Sequence, residues 1–373
     1  MVDKAVTSGQ PIINPFTPEF GKVPAYLAGR DSLIAQMTEA FDSDGNSPDL
    51  CTLVVGARGT GKTALLTYLG NEAERMGWIK AEVTAGPGML EEILQQATAA
   101  AEHLVETEGK KRVKGVSMAG IGGIEWENDA APVPTWRTRM SRLLDLLAEA
   151  NIGLLITVDE VDPTLDEMIQ LITTYQHFVR ENRKVGLLMA GLPYNVDSLL
   201  SGKTTSFLRR ASRFDLGSLN DAEVEEAFRL TVEEGGRVVE VDALQEAVAA
   251  IKGFPFMFQL VGFRAWNVNR GGAALEKDDV MQGARMANTE LGQRIFDATY
   301  RELSKADRAF LVAMLPDAKS TTRESLMERL GKPSGHVSTY KKRLAKAGLI
   351  TETPSGSLTF SLPGFREYLE NIE

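Results

Sequence analysis

The chain has 373 residues, length for two or three domains, and its 43% hydrophobic and 25% charged side chains exclude fibrous chains and wholesale disorder. A single cysteine excludes an internal disulfide framework, three scattered histidines without HExxH spacing speak against zinc, and no long apolar run offers a membrane span. The first ten residues lack a secretory apolar core, so a cytoplasmic setting is expected; the net charge of −10 divides into −13 before Tyr300 and +3 from there on, which directs that end toward an anionic partner.

In chain order, residues 1–50 open as Pro-rich loop. At Gly29-Arg30-Asp31 they pass into a helical pattern of Leu33, Ile34, Met37, Ala40 and Phe41. Thr52–Val55 reads as a buried strand, and a helix from Lys62 to about Met76 follows at once. Trp78–Thr84 is a second strand, and Leu90–Val105 and Val133–Ala150 are helices. Gly153–Val158 and Val185–Ala190 are continuous apolar runs, the mark of strands buried on both faces, with a helix over Leu165–Arg180 between them. This alternation predicts a parallel sheet covered on both sides. After Leu216 the strands stop; Asn220 and an acidic first turn start a helix, and four helices fit before Leu303. Val113–Met118 and Ile121–Trp126 flank Ala119-Gly120 and read as a hairpin inserted near 112–127. It is either packed on the surface or an arm toward DNA or a neighbouring subunit.

Gly56, Ala57, Arg58, Gly59, Thr60, Gly61, Lys62 and Thr63 match GxxxxGK(S/T) in full, behind a strand and with Ala64 continuing the helix. Glycines let the backbone curl so that successive N–H groups face inward as an anion nest, and the helix directs its positive dipole end to the same point. Lys62 is placed for the β- and γ-phosphates of ATP or ADP, and the Thr63 hydroxyl for Mg²⁺. At the end of another buried strand stand Asp159 and Glu160: Asp159 to hold Mg²⁺ through water, Glu160 to orient and deprotonate the attacking water. Asp162 is a weaker candidate acid and reads first as a cap on the helix after Pro163.

With these two motifs the sequence resembles the AAA+ ATPases, in particular the origin-recognition/initiator-like (bacterial Orc-like) branch. The resemblance implies an α/β fold: a P-loop NTPase (AAA+) parallel sheet over 1–217, an all-α lid over 218–303 and a winged helix-turn-helix domain over 304–373. It implies that Pro24–Asp31 lines the adenine pocket, with Tyr26 and Leu27 as the contacts. Phe207–Phe214 resembles the box carrying the arginine finger, which makes Arg213 and Arg210 the candidates to reach ATP on an adjacent copy, and hence a homo-oligomer. Two departures stand out. Ala190-Gly191-Leu192-Pro193 lies where the family places Asn, Thr or Ser, and the nearest polar residues are Tyr194 and Asn195. Phe256 stands where initiators offer an arginine, and Arg264 comes two turns later. Both departures imply slow hydrolysis.

In the last block, Ser304–Leu315, Thr322–Leu330 and Pro333–Gly348 read as helices, followed by a hairpin around Pro354–Ser357. Their sequence resembles a winged helix. Residues 332–351 hold Lys332, Lys341, Lys342, Arg343 and Lys346 with no acid. Val337, Tyr340 and Leu344 should face the core, leaving Ser338, Thr339, Lys341, Lys342 and Lys346 toward solvent and double-stranded DNA. The expected function is an ATPase that couples ATP to assembly on duplex DNA, without a membrane. The alternative is a nucleotide switch or scaffold whose winged helix docks a protein.

Overall fold

The computed structural model describes residues 13–19, 21–108 and 134–372. The hairpin expected near 112–127 lies outside them. The elements run α1 (Asp31–Asp42), β1 (Cys51–Gly56), α2 (Lys62–Arg75), β2 (Ile79–Thr84), α3 (Met89–Glu108), α4 (Trp136–Glu149), β3 (Leu154–Asp159), α5 (Asp166–Arg180), β4 (Val185–Gly191), α6 (Pro193–Ser201) and β5 (Ser212–Leu216). Then come α7 (Asp221–Glu234), β6 (Val238–Val239), α8 (Val241–Ile251), α9 (Pro255–Val268), β7 (Ala274–Leu275), α10 (Lys277–Leu291), α11 (Asp297–Glu302), α12 (Lys305–Met314), α13 (Arg323–Leu330), α14 (Ser334–Lys346), β8 (Ile350–Glu352), β9 (Leu358–Phe360) and α15 (Phe365–Ile372).

They form two compact units, which cut the chain differently from the three-domain division expected from sequence. Among the described residues one comprises 30–108, 134–217 and 309–362, the other 13–19, 21–29, 218–308 and 363–372.

The first unit is built on a five-stranded sheet in the order β2-β3-β4-β1-β5, with every neighbouring pair parallel. β4 is buried along its whole length, and β3 up to its last residue, which is why both are rich in apolar residues, β3 carrying only the buried Thr157 among Leu154, Leu155, Ile156 and Val158. β5 departs from that pattern: Arg213 and Asp215 are exposed and alternate with Ser212, Phe214 and Leu216. It is an edge strand with one wet face, and its polar residues hide it in the sequence. Leu65, Leu66, Leu69 and Ala73 form the buried stripe of α2 at helical spacing. The first turn of α3 is satisfied from outside: the Glu167 carboxylate of α5 accepts from the N–H groups of Gly88 (2.7 Å) and Leu90 (3.0 Å). Trp136, buried at the start of α4, donates its indole N–H to the Leu90 carbonyl (2.6 Å). Gly56, Asp159 and Gly191 end β1, β3 and β4, so the three carboxyl ends open on one side of the sheet, where open α/β sheets hold ligands.

The same unit carries α13, α14 and the antiparallel pair β8–β9, in which Ile350 faces Phe360. Thr322 caps α13 through the Ser325 N–H (3.2 Å), and Gly331, at φ +59°, ends it. Gly348 seats the C-terminal end of α14 on the segment after β4: a Cβ there would lie 3.0 Å from the Leu192 side chain.

The second unit is helical. Phe16, Phe228 and Phe258 form its aromatic centre, with ring centroids 5.2–5.9 Å apart. A Cβ on Gly262 would strike the Phe16 ring at 2.2 Å, so glycine is required for that approach. Asn220 caps α7 as its sequence predicts: its side chain accepts from Glu223 N–H (2.9 Å) and the Glu223 carboxylate from Asn220 N–H (2.8 Å). Strands do not stop at Leu216, because β6 and β7 pair in parallel within this unit. Two residues each are too short to show a period. The closing helix α15, also absent from the sequence reading, packs here through Phe365 and Tyr368 against Phe296. No helix among the described residues is long and apolar enough to cross a membrane.

Candidate functional site

The loop between β1 and α2 curls because Gly59 and Gly61 take φ of +77° and +88°, where other residues are strained. Gly56 is needed for closeness instead: a Cβ would lie 2.5 Å from the Thr60 hydroxyl. That hydroxyl ties the loop by donating to the Ala57 carbonyl (2.9 Å). Lys62 is 5% exposed and its Nζ donates to the carbonyls of Gly56 (3.1 Å) and Ala57 (2.9 Å). Burial lowers the Lys62 pKa from its ordinary value, while Glu160 and Asp159 pull it back up. Arg58 and Gly59 are exposed at the rim, and Ala64 is half-buried behind it.

Thr63 and Asp159 meet across the crevice: the threonine hydroxyl donates to Asp159 Oδ2 at 2.5 Å. The other carboxylate oxygen accepts from the Glu160 N–H (2.8 Å). Glu160 has φ +54°, unusual for a residue with a side chain, and is exposed beside Lys62. A buried ammonium, an inward-curled loop, a hydroxyl and two carboxylates thus converge at the carboxyl ends of β1 and β3. The donor set fits a polyphosphate with a hard divalent cation: N–H groups and Lys62 for the anion, the oxygens of Thr63 and Asp159 for Mg²⁺. When bound, the cation neutralises charge on the transferring phosphoryl group. Asp162 is no helix cap, since Leu165 occupies the N-cap position of α5. It accepts from the backbone N–H (2.9 Å) and hydroxyl (2.7 Å) of Thr164, which hold its carboxyl below the usual range, with Lys346 acting in the same direction.

The two arginine candidates separate. Arg213 is clamped within its own chain: Nη1 donates to Asp197 of α6 (2.7 Å), and Nε and Nη2 to Asp215 (3.1 and 3.0 Å). Those partners raise its pKa. Arg210 is exposed and has no ion-pair or hydrogen-bond partner among the described residues. The clamp was half legible, because Arg213 and Asp215 share a strand face at period two; nothing local announces Asp197. Asn195 lies in the first turn of α6, and its amide donates to the Val161 carbonyl (3.0 Å). In the helical unit Arg264 is engaged with Glu290 (Nε to Oε2, 2.8 Å), and the Phe256 ring lies by Phe254. Tyr26 and Leu27 belong to this helical unit, not to the unit of the phosphate loop.

On α14, Val337 and Leu344 are buried as expected, but Tyr340 is only half-buried. Its ring lies 4.5 Å from that of His336 and under the Arg343 guanidinium (4.6 Å), on the flank of the helix. Lys341 is not turned to solvent: it is half-buried and paired with Glu352 (2.7 Å). Ser338 is also half-buried, accepting from Arg323 (2.9 Å). Thr339, Lys342 and Lys346 are exposed, although the Thr339 hydroxyl bonds back to the Gly335 carbonyl (3.0 Å). A cavity of about 570 Å³ separates α14 from α6, with Ala57, Tyr194, Ser198, Lys341, Lys342 and Glu352 on its wall.

A parallel sheet in this order, with such a loop behind its first strand, defines a P-loop NTPase. The AAA ATPase domain family matches residues 26–250, more than half of the chain, and the chain belongs to that family. Residues 293–369 match a family described only as a domain of unknown function. Among solved structures the chain is similar to the Walker-type ATPase of Pyrococcus abyssi, with 16% identity, 91% of this chain and 95% of that one covered, and a TM-score of 0.61. It is also similar to the ORC1 protein of Aeropyrum pernix in complex with DNA (16%, 94% and 93%, TM-score 0.47) and to Cdc6p of Pyrobaculum aerophilum (13%, 95% and 96%, TM-score 0.48). At such identities the likeness shows the fold alone. No curated protein matches the chain.

Proposed function

We propose that this chain is a slow ATPase of the cytoplasm whose nucleotide state governs its assembly, as a homo-oligomer, on double-stranded DNA. The observation that carries the ATPase reading is the convergence of Lys62, Thr63, Asp159 and Glu160 at one end of the sheet. Lys62 leaves its two loop carbonyls for the phosphates of ATP, Thr63 and Asp159 hold Mg²⁺, and Glu160 takes the proton of the attacking water. Arg210 of an adjacent copy is the arginine finger, since Arg213 is already held by two carboxylates. Slow turnover fits an apolar strand end at Ala190-Gly191 and a helical unit whose Arg264 is tied to Glu290.

DNA is read by α12, α13, α14 and the β8–β9 hairpin acting as a winged helix. The exposed cations Lys342 and Lys346 on α14 support this, as does the absence of acidic residues from 332 to 351. The test is duplex binding by Glu160→Gln with ATP and with ADP across a salt series. Binding that is stronger with ATP and falls steeply with salt is expected. Changing Lys342 and Lys346 to Glu should then abolish it, each phosphate contact having supplied about one unit of the salt slope.

A second reading is favoured by Lys341, whose charge is spent on Glu352, and by the seat of Gly348 on Leu192. In it the block from α12 to β9 docks a protein, and ATP acts as a switch. Duplex binding that is absent, or unaffected by the two lysine changes, would select this reading.

A further inference from the structure

The turn that carries Glu160 is pinned on both sides. Ahead of it, Asp159 accepts the Glu160 N–H (2.8 Å). Behind it, Val161 is fully buried, its N–H donates to the Ala190 carbonyl (2.9 Å), and its carbonyl accepts from Asn195 Nδ2 (3.0 Å). Val161 also fills the space left by Gly191, where a Cβ would come within 2.4 Å of its methyl group. Between these anchors the Glu160 backbone stays at φ +54°, which persists only where the surroundings over-determine it.

We infer that Asn195 is a positioning residue for hydrolysis: by holding the Val161 carbonyl it keeps the Glu160 turn left-handed and its carboxylate aimed at the phosphate loop. This rests on the ATPase reading. The orientation of the amide follows from its partner, because the opposite orientation would set two carbonyl oxygens face to face. Asn195 Oδ1 is buried with no hydrogen-bond partner among the described residues. A leucine would fill the same place without an orphaned acceptor, and a buried polar atom without a partner is costly. The bond from Nδ2 to Val161 is what the amide contributes in return. Once released, the Val161 carbonyl no longer fixes the turn, and Glu160 relaxes toward the ordinary helical region with its side chain redirected.

The experiment compares the full chain with Asn195→Leu and with Asn195→Asp, the second nearly isosteric and lacking the donor. Steady-state ATP hydrolysis should lose kcat by about 10- to 100-fold, as for a misplaced catalytic group, with KM changed by no more than about threefold. In a Glu160→Gln background, read by single-turnover hydrolysis, Asn195→Leu should add no further loss, since it acts through Glu160. A purely structural role would lower melting temperature and activity together and would add to the Glu160→Gln loss. If Asn195→Leu fails to fold, Asn195→Asp carries the same kcat and KM comparison. A kcat within twofold of the parent in a folded variant, or a loss that adds to that of Glu160→Gln, overturns the inference while leaving the ATPase reading intact. A parent chain that hydrolyses no ATP overturns both.

Discussion

Lys62 and Arg237 are two buried cations, one in each compact unit, and they are solvated in the same way. Lys62 is 5% exposed and bonded to the carbonyls of Gly56 and Ala57; Arg237 is 2% exposed and bonded to those of Trp266 (3.3 Å) and Asn269 (2.6 Å). Burial lowers the pKa of both, and nearby carboxylates oppose it, Glu160 and Asp159 in one case and Asp279 in the other. What differs is the permanence of the partners. Arg237 closes the C-terminal end of α9 and lies 4.2 Å over the Trp266 indole, a lid that no ligand has to open. Lys62 is bonded to a glycine loop whose rim is exposed, beside an exposed glutamate. A buried charge marks a site when its partners can be exchanged for a ligand, and marks architecture when they cannot.

Removing each cation breaks the comparison in opposite ways. Lys62→Met should have the largest functional effect: nucleotide affinity or turnover falls by at least about 100-fold, the usual consequence of losing a phosphate contact in a site of this kind. Its unfolding free energy should stay within about 1 kcal/mol of the parent, because the loop carbonyls regain water. Arg237→Met should do the reverse and lose about 3 kcal/mol, the loss expected when buried carbonyls at a helix end are left without a donor. Calorimetric titration with ATP and denaturant unfolding of both variants check this. A Lys62→Met protein that binds ATP normally would remove the distinction.

The arginines near β5 offer a subtler version. Arg210→Ala should reduce ATP hydrolysis by the assembled protein by about 100-fold or more, with the isolated chain unaffected, as befits a group supplied to a neighbour. Arg213→Ala should change hydrolysis less and stability by no more than about 1 kcal/mol, since its pairs with Asp197 and Asp215 are partly exposed and screened. Turnover measured against protein concentration distinguishes the two. If Arg213→Ala alone removes the concentration dependence, the clamp opens on assembly and the assignment reverses.

The sheet and the phosphate site were legible because their determinants are local. GxxxxGK(S/T) fixes a loop by its own glycines, and the buried run Leu154, Leu155, Ile156, Thr157 and Val158 before Asp159-Glu160 fixes a strand end. β5 was hidden because Arg213 and Asp215 give one face of an edge strand to water, so only the alternation of Phe214 and Leu216 remains. The allegiance of residues 13–29 was illegible: Phe16 finds Phe228 and Phe258 more than 200 positions away. Neither the Asn195 bond to Val161 nor the Arg237 cap has a spacing to read, since each depends on where a helix end arrives. On α14 the helical period placed Val337 and Leu344 correctly, but Glu352 reaches Lys341 only through the return of the chain along β8.

The smallest effect tests that last helix. Asp162 has a folded pKa below its ordinary value, first because Thr164 donates to it through hydroxyl and backbone, and further because of Lys346. Ionised Asp162 therefore adds stability above the unfolded pKa of about 3.9, and that contribution is lost as pH falls through the folded value. Lys346→Ala should raise the Asp162 pKa part of the way, because the Thr164 bonds remain, and salt should shrink the difference between variant and parent since Lys346 is exposed. Carboxyl-carbon NMR titration of both proteins reads this directly. A carboxyl that titrates identically in the two would mean that α14 does not hold Lys346 near the turn after Glu160 in solution.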